Sequence, residues 1–255
     1  MISAAARPLV AQPPMRLVSS RPAEVTRVST RCTSCKLREV CLPCGLDGAG
    51  TEQLGEIVHT RIRVRRGESM LRAGAAFESL YAVRSGFFKS SVLLEDGRDQ
   101  VTGFHMAGEI LGMDGMASGY HATDVIALED SEVCVISHER LEDPGMHRQL
   151  HKVMSRELVR DQGVMMLLGT MRAEERLAAF LLNLSQRFLT RGFSPSEFHL
   201  RMTREEIGSY IGLSLETVSR LFSRFSEEGL IAVNQKHVRI LHVEGLKAAM
   251  LHMNA

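Results

Sequence analysis

Residues Met202–Phe225, MTREEIGSYIGLSLETVSRLFSRF, carry the pattern that decides the C-terminal half of the chain. Thr203 and Glu206 stand three residues apart, the spacing of a reciprocal helix N-cap in which hydroxyl and carboxylate each take a backbone N–H. A short helix is expected from there to Tyr210, with Gly212 permitting a tight turn and Ser214 capping a second helix. At helical spacing Val218, Leu221, Phe222 and Phe225 share a buried face, which leaves Glu216, Ser219, Arg220 and Arg224 facing out. Two short helices joined in this way read as a helix-turn-helix, whose second helix would present its N-terminal residues to base edges in a major groove. An αα-hairpin with no DNA role has the same local pattern. Directly downstream, GLIAV at 229–233 turns at Asn234-Gln235-Lys236 into HVRIL at 237–241. That strand pair reads as a wing and favours the DNA-binding interpretation.

Upstream of this motif, AEERLAAFLLNLSQR at 173–187 is an amphipathic helix, and a longer one is expected over about 149–168. In the longer helix Leu150, Val153, Met154, Leu158, Val164, Met165 and Leu168 form an apolar stripe, and Met154, Glu157, Asp161, Val164 and Leu168 share one seam. Such a stripe either packs on its own domain or meets a symmetric copy, in which case Asp161 would face its own image and oppose association. Between Ile62 and Ile136 the pattern changes to short strands separated by turn signals at 66–68, 72–74, 84–86 and 95–97. Turns at that spacing predict a compact antiparallel barrel or roll, preceded by a short helical segment within 54–64. Residues 1–30 mix Pro, Ala, Ser and Arg without apolar periodicity and are expected to be a mobile arm. Residues 244–255 read as a short terminal helix.

The remaining distinctive stretch is RCTSCKLREVCLPCGL at 31–46, which holds four of the five cysteines: Cys32, Cys35, Cys41 and Cys44. Thiolates this close can converge on one soft metal centre, and structural zinc, an iron–sulfur cluster, a redox thiol pair and a disulfide knot all fit the spacing. The fifth, Cys134, lies in the last expected strand of the roll, where a lone cysteine is most simply a small core residue. The chain of 255 residues has a net charge of +1, so any nucleic-acid contact must come from a local patch and not from global charge. No apolar run is long enough to span a bilayer, and the N-terminus lacks the pattern of a secretory signal. A reducing cytoplasmic location is therefore expected, which with an odd cysteine count disfavours disulfides. No nucleophile–base pair or phosphate-cradling loop points to an enzyme.

Taken together, the order of cysteine-rich segment, roll, long helix, helix-turn-helix and wing resembles the CRP/FNR superfamily of bacterial transcription regulators over nearly the whole chain. Its FNR type, the oxygen-responsive regulators, is the nearest pattern. The resemblance rests on C-x2-C-x5-C at Cys32, Cys35 and Cys41, on Cys134 near the end of the roll, and on SLYAVRSGFFKS, GRDQVTGFHMAGEILG, AEERLAAFLLNLSQRF and TREEIGSYIGLSLETVSRLFSRF. It implies an α+β chain: an arm at 1–30, a cluster segment and β-roll at 31–140, a dimerisation helix at 141–171 and a winged helix-turn-helix at 172–255.

The resemblance further implies a [4Fe–4S] cluster on Cys32, Cys35, Cys41 and Cys134, with Cys44 as the alternative fourth ligand that would close a purely local site. Glu216, Ser219 and Arg220 are expected on base edges of an inverted repeat with half-sites like TTGAT, and Arg224, Lys236 and Arg239 on phosphates. A homodimer switched around Glu157, Leu158 and Asp161 is implied, together with RNA polymerase contacts for which the 95–99 turn is a candidate. Cyclic nucleotide is not expected. Gly108-Glu109 is kept, but Tyr120-His121-Ala122-Thr123-Asp124 stands where a phosphate-binding arginine belongs. Haem, with His59, His105 or His121 as ligand, is a lesser alternative. A zinc-stabilised regulator that does not respond to oxygen is the main competing reading.

Overall fold

The structure is a computed structural model and describes residues 24–26, 32–58, 60–140 and 144–250. Two antiparallel sheets make the roll. One contains strands β1 (Glu24–Thr26), β2 (Thr60–Val64), β4 (Ser79–Ser85), β7 (Ile110–Leu111) and β9 (Ser131–Ser137) in the order β1-β2-β9-β4-β7. The other contains β3 (Ser69–Leu71), β5 (Phe87–Leu93), β6 (Asp99–Met106) and β8 (Asp124–Ala127) in the order β3-β8-β5-β6. The strands alternate as half-buried strands should: Phe88, Val125, Val133 and Val83 point into one small core between the sheets. Within the stretch 1–30, expected to be an arm, Glu24–Thr26 instead pairs antiparallel with Arg61–Arg63 and extends the first sheet. The rest of that stretch lies outside the described residues, as does His59.

The helices are α1 (Gly48–Ile57), α2 (Pro144–Thr170), α3 (Ala173–Leu189), α4 (Arg204–Ile211), α5 (Leu215–Glu227) and α6 (Val243–Met250). The first begins six residues earlier than expected because Asp47 caps it, its carboxylate accepting the Gly50 N–H at 2.8 Å. The cap anticipated at Thr203 is present in both directions: Thr203 Oγ1 accepts from the Glu206 N–H at 3.1 Å, and Glu206 accepts from the Thr203 N–H at 2.7 Å. Gly212 takes φ +67 in the left-handed region, and Ser214 caps α5 by accepting the Thr217 N–H. The Arg204 guanidinium lies 3.4 Å from the centre of the Phe222 ring, which holds α4 on α5 by a cation–π contact. The wing strands β11 (Ile231–Asn234) and β12 (His237–Ile240) are joined by a third, β10 (Glu197–His199), which pairs with β12. This third strand has no period-2 apolar run to announce it. No described helix is long and apolar enough to cross a membrane.

The largest core crosses the boundary at residue 172. Phe87, Val101, Phe104 and Met106 of the roll pack with Leu177, Leu181, Ile207, Val218 and Phe222 of the C-terminal unit. Phe104 is fully buried, with its ring centre 6.1 Å from Phe180 and 5.2 Å from Tyr210 in edge-on arrangements. Polar ties close the same seam. Ser209 Oγ accepts from the Val101 N–H at 2.8 Å, Gln100 donates to the Ser209 carbonyl, and Lys89 pairs with Glu206 at 3.1 Å. The DNA-reading unit is thus fastened to the roll and is not a bead on a tether.

Replacing Phe104 by Ala removes the ring that joins both units, so a loss of about 3–5 kcal/mol is expected. Differential scanning calorimetry should then show two separated transitions where the parent shows one; a single, unshifted transition would contradict this account of the seam.

Candidate metal centre and nucleic-acid interface

The cysteine segment folds as a series of tight turns ahead of α1. Cys32–Ser34 is a single 3₁₀ turn, and the chain then closes by Cys35 N–H to Cys32 carbonyl and Cys41 N–H to Leu37 carbonyl bonds. Leu42, almost wholly buried, anchors the segment in an apolar cluster with Leu54, Val58, Leu80, Ile136 and Met146. This docking brings Cys32, Cys35 and Cys41 to one cavity, and Cys134 reaches the same cavity from β9, where it pairs across to Arg61 and Ala82. Leu54, Val58, Ala82 and Val83 complete apolar walls, and Arg84 stands at the edge, its Nη1 4.0 Å from Cys35 Sγ. Cys44 is not among the lining residues. The strand register supplies the fourth sulfur, and no sequence spacing could have done so.

Burial pushes the Cys41 thiol up to about 12 and the Cys32 thiol to about 11, with the other sulfurs adding to the rise. Cys134 is also raised by burial, opposed by the nearby Arg84 and Arg61 guanidinium groups. Both arginines are shared with Glu132, at 3.3 and 3.5 Å. Such sulfurs are held as thiols until a metal exchanges for their protons. The residues fit a thiolate-bound cluster: four sulfurs round a dry cavity, with a cation at its edge to offset ligand charge. Among the described residues, no three His, Cys, Asp or Glu side chains converge closely enough to chelate a single ion.

A second constellation lies beside the first. Gly108 has φ +92, and a methyl group built there would sit 2.7 Å from Val40 Cγ2, so the cysteine segment rests directly on this glycine. Its neighbour Glu109 accepts from Arg187 Nη2 at 2.8 Å on α3, from Arg191 Nη2 at 2.6 Å in the turn just after that helix, and from Arg160 Nη1 at 3.2 Å on α2. Burial alone would raise this carboxyl. The attraction of Arg187, Arg160 and Arg191 outweighs it and holds the group at about 2. His105, buried on the adjacent strand, is kept neutral by burial, down to about 3. The loop that would meet a cyclic phosphate is closed on itself: Asp114 accepts from His121 and from the backbone of Ala122 and Thr123, and Asp124 accepts from Ala73 N–H. Sequence reasoning noted Glu109 but not its partners, which lie 51 to 82 residues further along the chain.

Helix α2 changes character along its length. Met146, Leu150 and Val153 are buried against the roll, whereas Leu158, Val159, Met165 and Met166 are about 60% exposed or more. This division corrects the single stripe expected from spacing: the first turns are buried against the roll and Leu167 near the far end packs on the largest core, whereas Leu158, Met165 and Leu168 of the stripe are exposed. The three residues expected at the switch separate accordingly. Leu158 and Asp161 lie on the exposed face, but Glu157 is turned inward and paired with Arg160, with burial raising its carboxyl.

On α5, Glu216, Ser219 and Arg220 are exposed side by side in the first two turns. Arg224 is exposed but already paired with Glu228 at 2.7 Å and with Glu174, while Lys236 donates to the Arg201 carbonyl at 3.2 Å. Arg239 is exposed on the wing. An outward helix N-terminus flanked by a basic wing is the geometry of a major-groove reader.

The fold and these two surfaces together define a transcription regulator with an N-terminal roll. Residues 61–144 match the cyclic nucleotide-binding domain family and residues 175–249 the Crp-like helix-turn-helix domain family. The transcriptional regulatory protein btr of Bordetella pertussis is 47% identical over 86% of this chain and 93% of its own length. The fumarate and nitrate reduction regulatory protein of Escherichia coli K12 is 43% identical over 84% of this chain and 88% of its own. Among solved structures, FixK2 from Bradyrhizobium japonicum covers 74% of this chain and 96% of its own, with TM-score 0.68 and 29% identity. The chain belongs to the CRP/FNR family of transcription regulators, and its relatives include FNR regulators.

The Glu109 cluster gives a pH signature. A carboxylate held at about 2 in the fold, against an ordinary value of 4.5, contributes stability that is complete above about pH 4.5 and is lost as pH falls through 2. Two and a half units correspond to at most about 3 kcal/mol. Arg160, Arg187, Arg191, Glu157 and His105 all face this group, so urea midpoints measured from pH 6 to pH 3 should fall for the parent and fall less steeply for Glu109→Gln. Parallel curves for the two proteins would contradict the assignment.

Proposed function

We propose that this chain is an oxygen-sensing transcription regulator that binds an inverted-repeat DNA site as a homodimer while a [4Fe–4S] cluster is held by Cys32, Cys35, Cys41 and Cys134. The observation that carries the reading is the single apolar cavity lined by those four sulfurs and not by Cys44. When bound, such a cluster supplies an oxygen-labile brace between the N-terminal segment and the roll. The family membership and the FNR relatives support the same sensing chemistry. Glu109, engaged by three arginines, and Asp114, engaged by its own loop, argue against cyclic nucleotide as the signal. A single zinc ion needs all its sulfurs within about 2.3 Å of one point, an arrangement less suited to sulfurs distributed round a cavity.

The pairing surface is the exposed face of α2, where Leu158, Val159 and Met165 would pack against a symmetric copy and Asp161 would face its image. Docking of the cysteine segment must offset that repulsion. Shifting such an equilibrium from almost all monomer to almost all dimer takes about 5.5 kcal/mol, within reach of a bound cluster. In the dimer Arg220 would give a bidentate contact to guanine, Glu216 would accept from cytosine N4, and Ser219 would bond either partner, with Lys236 and Arg239 on phosphates. Arg224 must release Glu174 to join them. Transcription activation adds contacts with RNA polymerase from surface loops such as 95–99.

Protein purified without air should be coloured and contain four irons per chain, and aeration should bleach it and weaken DNA binding. Colourless protein with one zinc would overturn the reading. Under the same conditions Cys134→Ser should abolish the colour and Cys44→Ser should keep it. Asp161→Ala is expected to sediment as a dimer after aeration, where the parent is a monomer. For base reading, Arg220→Ala should cost about 1–3 kcal/mol in binding to its site and little on unrelated duplex; equal losses on both would refute its role.

A further inference from the structure

Three parts of the molecule meet at one corner of the roll, the three-residue link between β6 and β7. The cysteine segment touches it at Val40, which leaves no space for even a methyl group on Gly108. The floor of the thiol cavity touches it too. Val83, which lines that cavity, donates its N–H to the Glu109 carbonyl at 2.8 Å and accepts from the Gly108 N–H at 2.7 Å. On the other side the Glu109 carboxylate holds Arg160 of the pairing helix, Arg187 of α3, the first helix of the DNA-reading unit, and Arg191 in the turn that follows α3. Arg187 and Arg191 also donate to the Phe104 and Ala107 carbonyls, so the turn is gripped by backbone as well as by charge.

We propose that Gly108 and Glu109 are positioning residues that carry the state of the cysteine segment to both the pairing helix and the DNA-reading unit. This rests on the oxygen-gated reading above and names its route. Close-packed contacts transmit displacement instead of absorbing it, and Val40 against Gly108 is such a contact. Buried charge pairs are sensitive to geometry, because a carboxylate drawn away from one guanidinium leaves it without compensation in an apolar setting. When Val40 is seated, the 106–109 turn and its carboxylate hold Arg160 and α3 in one fixed relation. When the segment loosens, the turn is released and the grip is redistributed among the three arginines. The two recognition helices are thereby set or unset together with the dimer face.

The test compares full-length Glu109→Gln and Arg191→Gln with the parent, each prepared without air and then aerated. Iron content, visible absorption and affinity for an inverted-repeat duplex are measured in both states. Both variants should keep the parent's iron and colour, while the ratio of aerated to anaerobic Kd collapses at least tenfold towards one. A purely structural role would weaken binding equally in both states and leave that ratio unchanged, which overturns the relay. If Glu109→Gln fails to fold, Arg191→Gln, which keeps the carboxylate and two of its arginines, decides the matter by the same ratio. A parent that shows no iron and no oxygen response would instead bring down the functional reading, and the relay with it.

Discussion

A single buried carboxylate ties this structure together. Glu109 sits in a turn of the roll, yet its partners are Arg160 on the long helix, Arg187 on the first helix of the DNA-reading unit and Arg191 just past that helix's end. Desolvation raises this carboxyl, and the attraction of Arg187, Arg160 and Arg191 outweighs it and holds the group at about 2. The consequence is geometric as much as energetic. Around this charge, Phe104, Tyr210 and Phe180 pack edge to edge, and the Ser209 hydroxyl satisfies the Val101 amide. The roll and the C-terminal unit therefore share one core.

The thiol cavity is the complementary feature. Its walls are apolar, burial pushes the Cys32, Cys41 and Cys134 thiols up, and Arg84 at its edge is partly neutralised by Glu132. The side facing the N-terminal segment is made of turns, with Leu42 as their main apolar anchor, whereas the other side is a central strand of a five-stranded sheet. Stability is thus unevenly divided across the cavity. In the proposed function, a cluster held there would bridge a segment made of turns and a strand paired on both sides within its sheet.

Helix α2 completes the arrangement by being covered unevenly along its length. Its first turns are buried in the same apolar cluster as Cys32 and Cys134, and its later turns expose a run of Leu, Val and Met side chains. An apolar face of that extent is characteristic of an association surface. Glu157, drawn inward by Arg160, leaves Asp161 as the acid on that face. The helix that would pair with its copy is therefore also the helix on which the cysteine segment and Glu109 both pull.

By itself the sequence determined what short-range chemistry controls. The capping pair Thr203 and Glu206, the left-handed Gly212, the apolar spacing of Val218, Leu221, Phe222 and Phe225, and the turn at Glu95–Gly97 all act over a few residues, so the helix-turn-helix and the roll strands could be read directly. The conformation of each depends on neighbours that the local pattern displays. What only the tertiary structure decided are contacts whose partners lie far apart in the chain. These include the third wing strand Glu197–His199, the inward turn of Glu157, the three arginines on Glu109, and the one cavity that Cys134, implied by the family resemblance, shares with Cys32, Cys35 and Cys41. Strand register and the docking of one unit on another select these contacts, and neither leaves a periodic trace in the sequence.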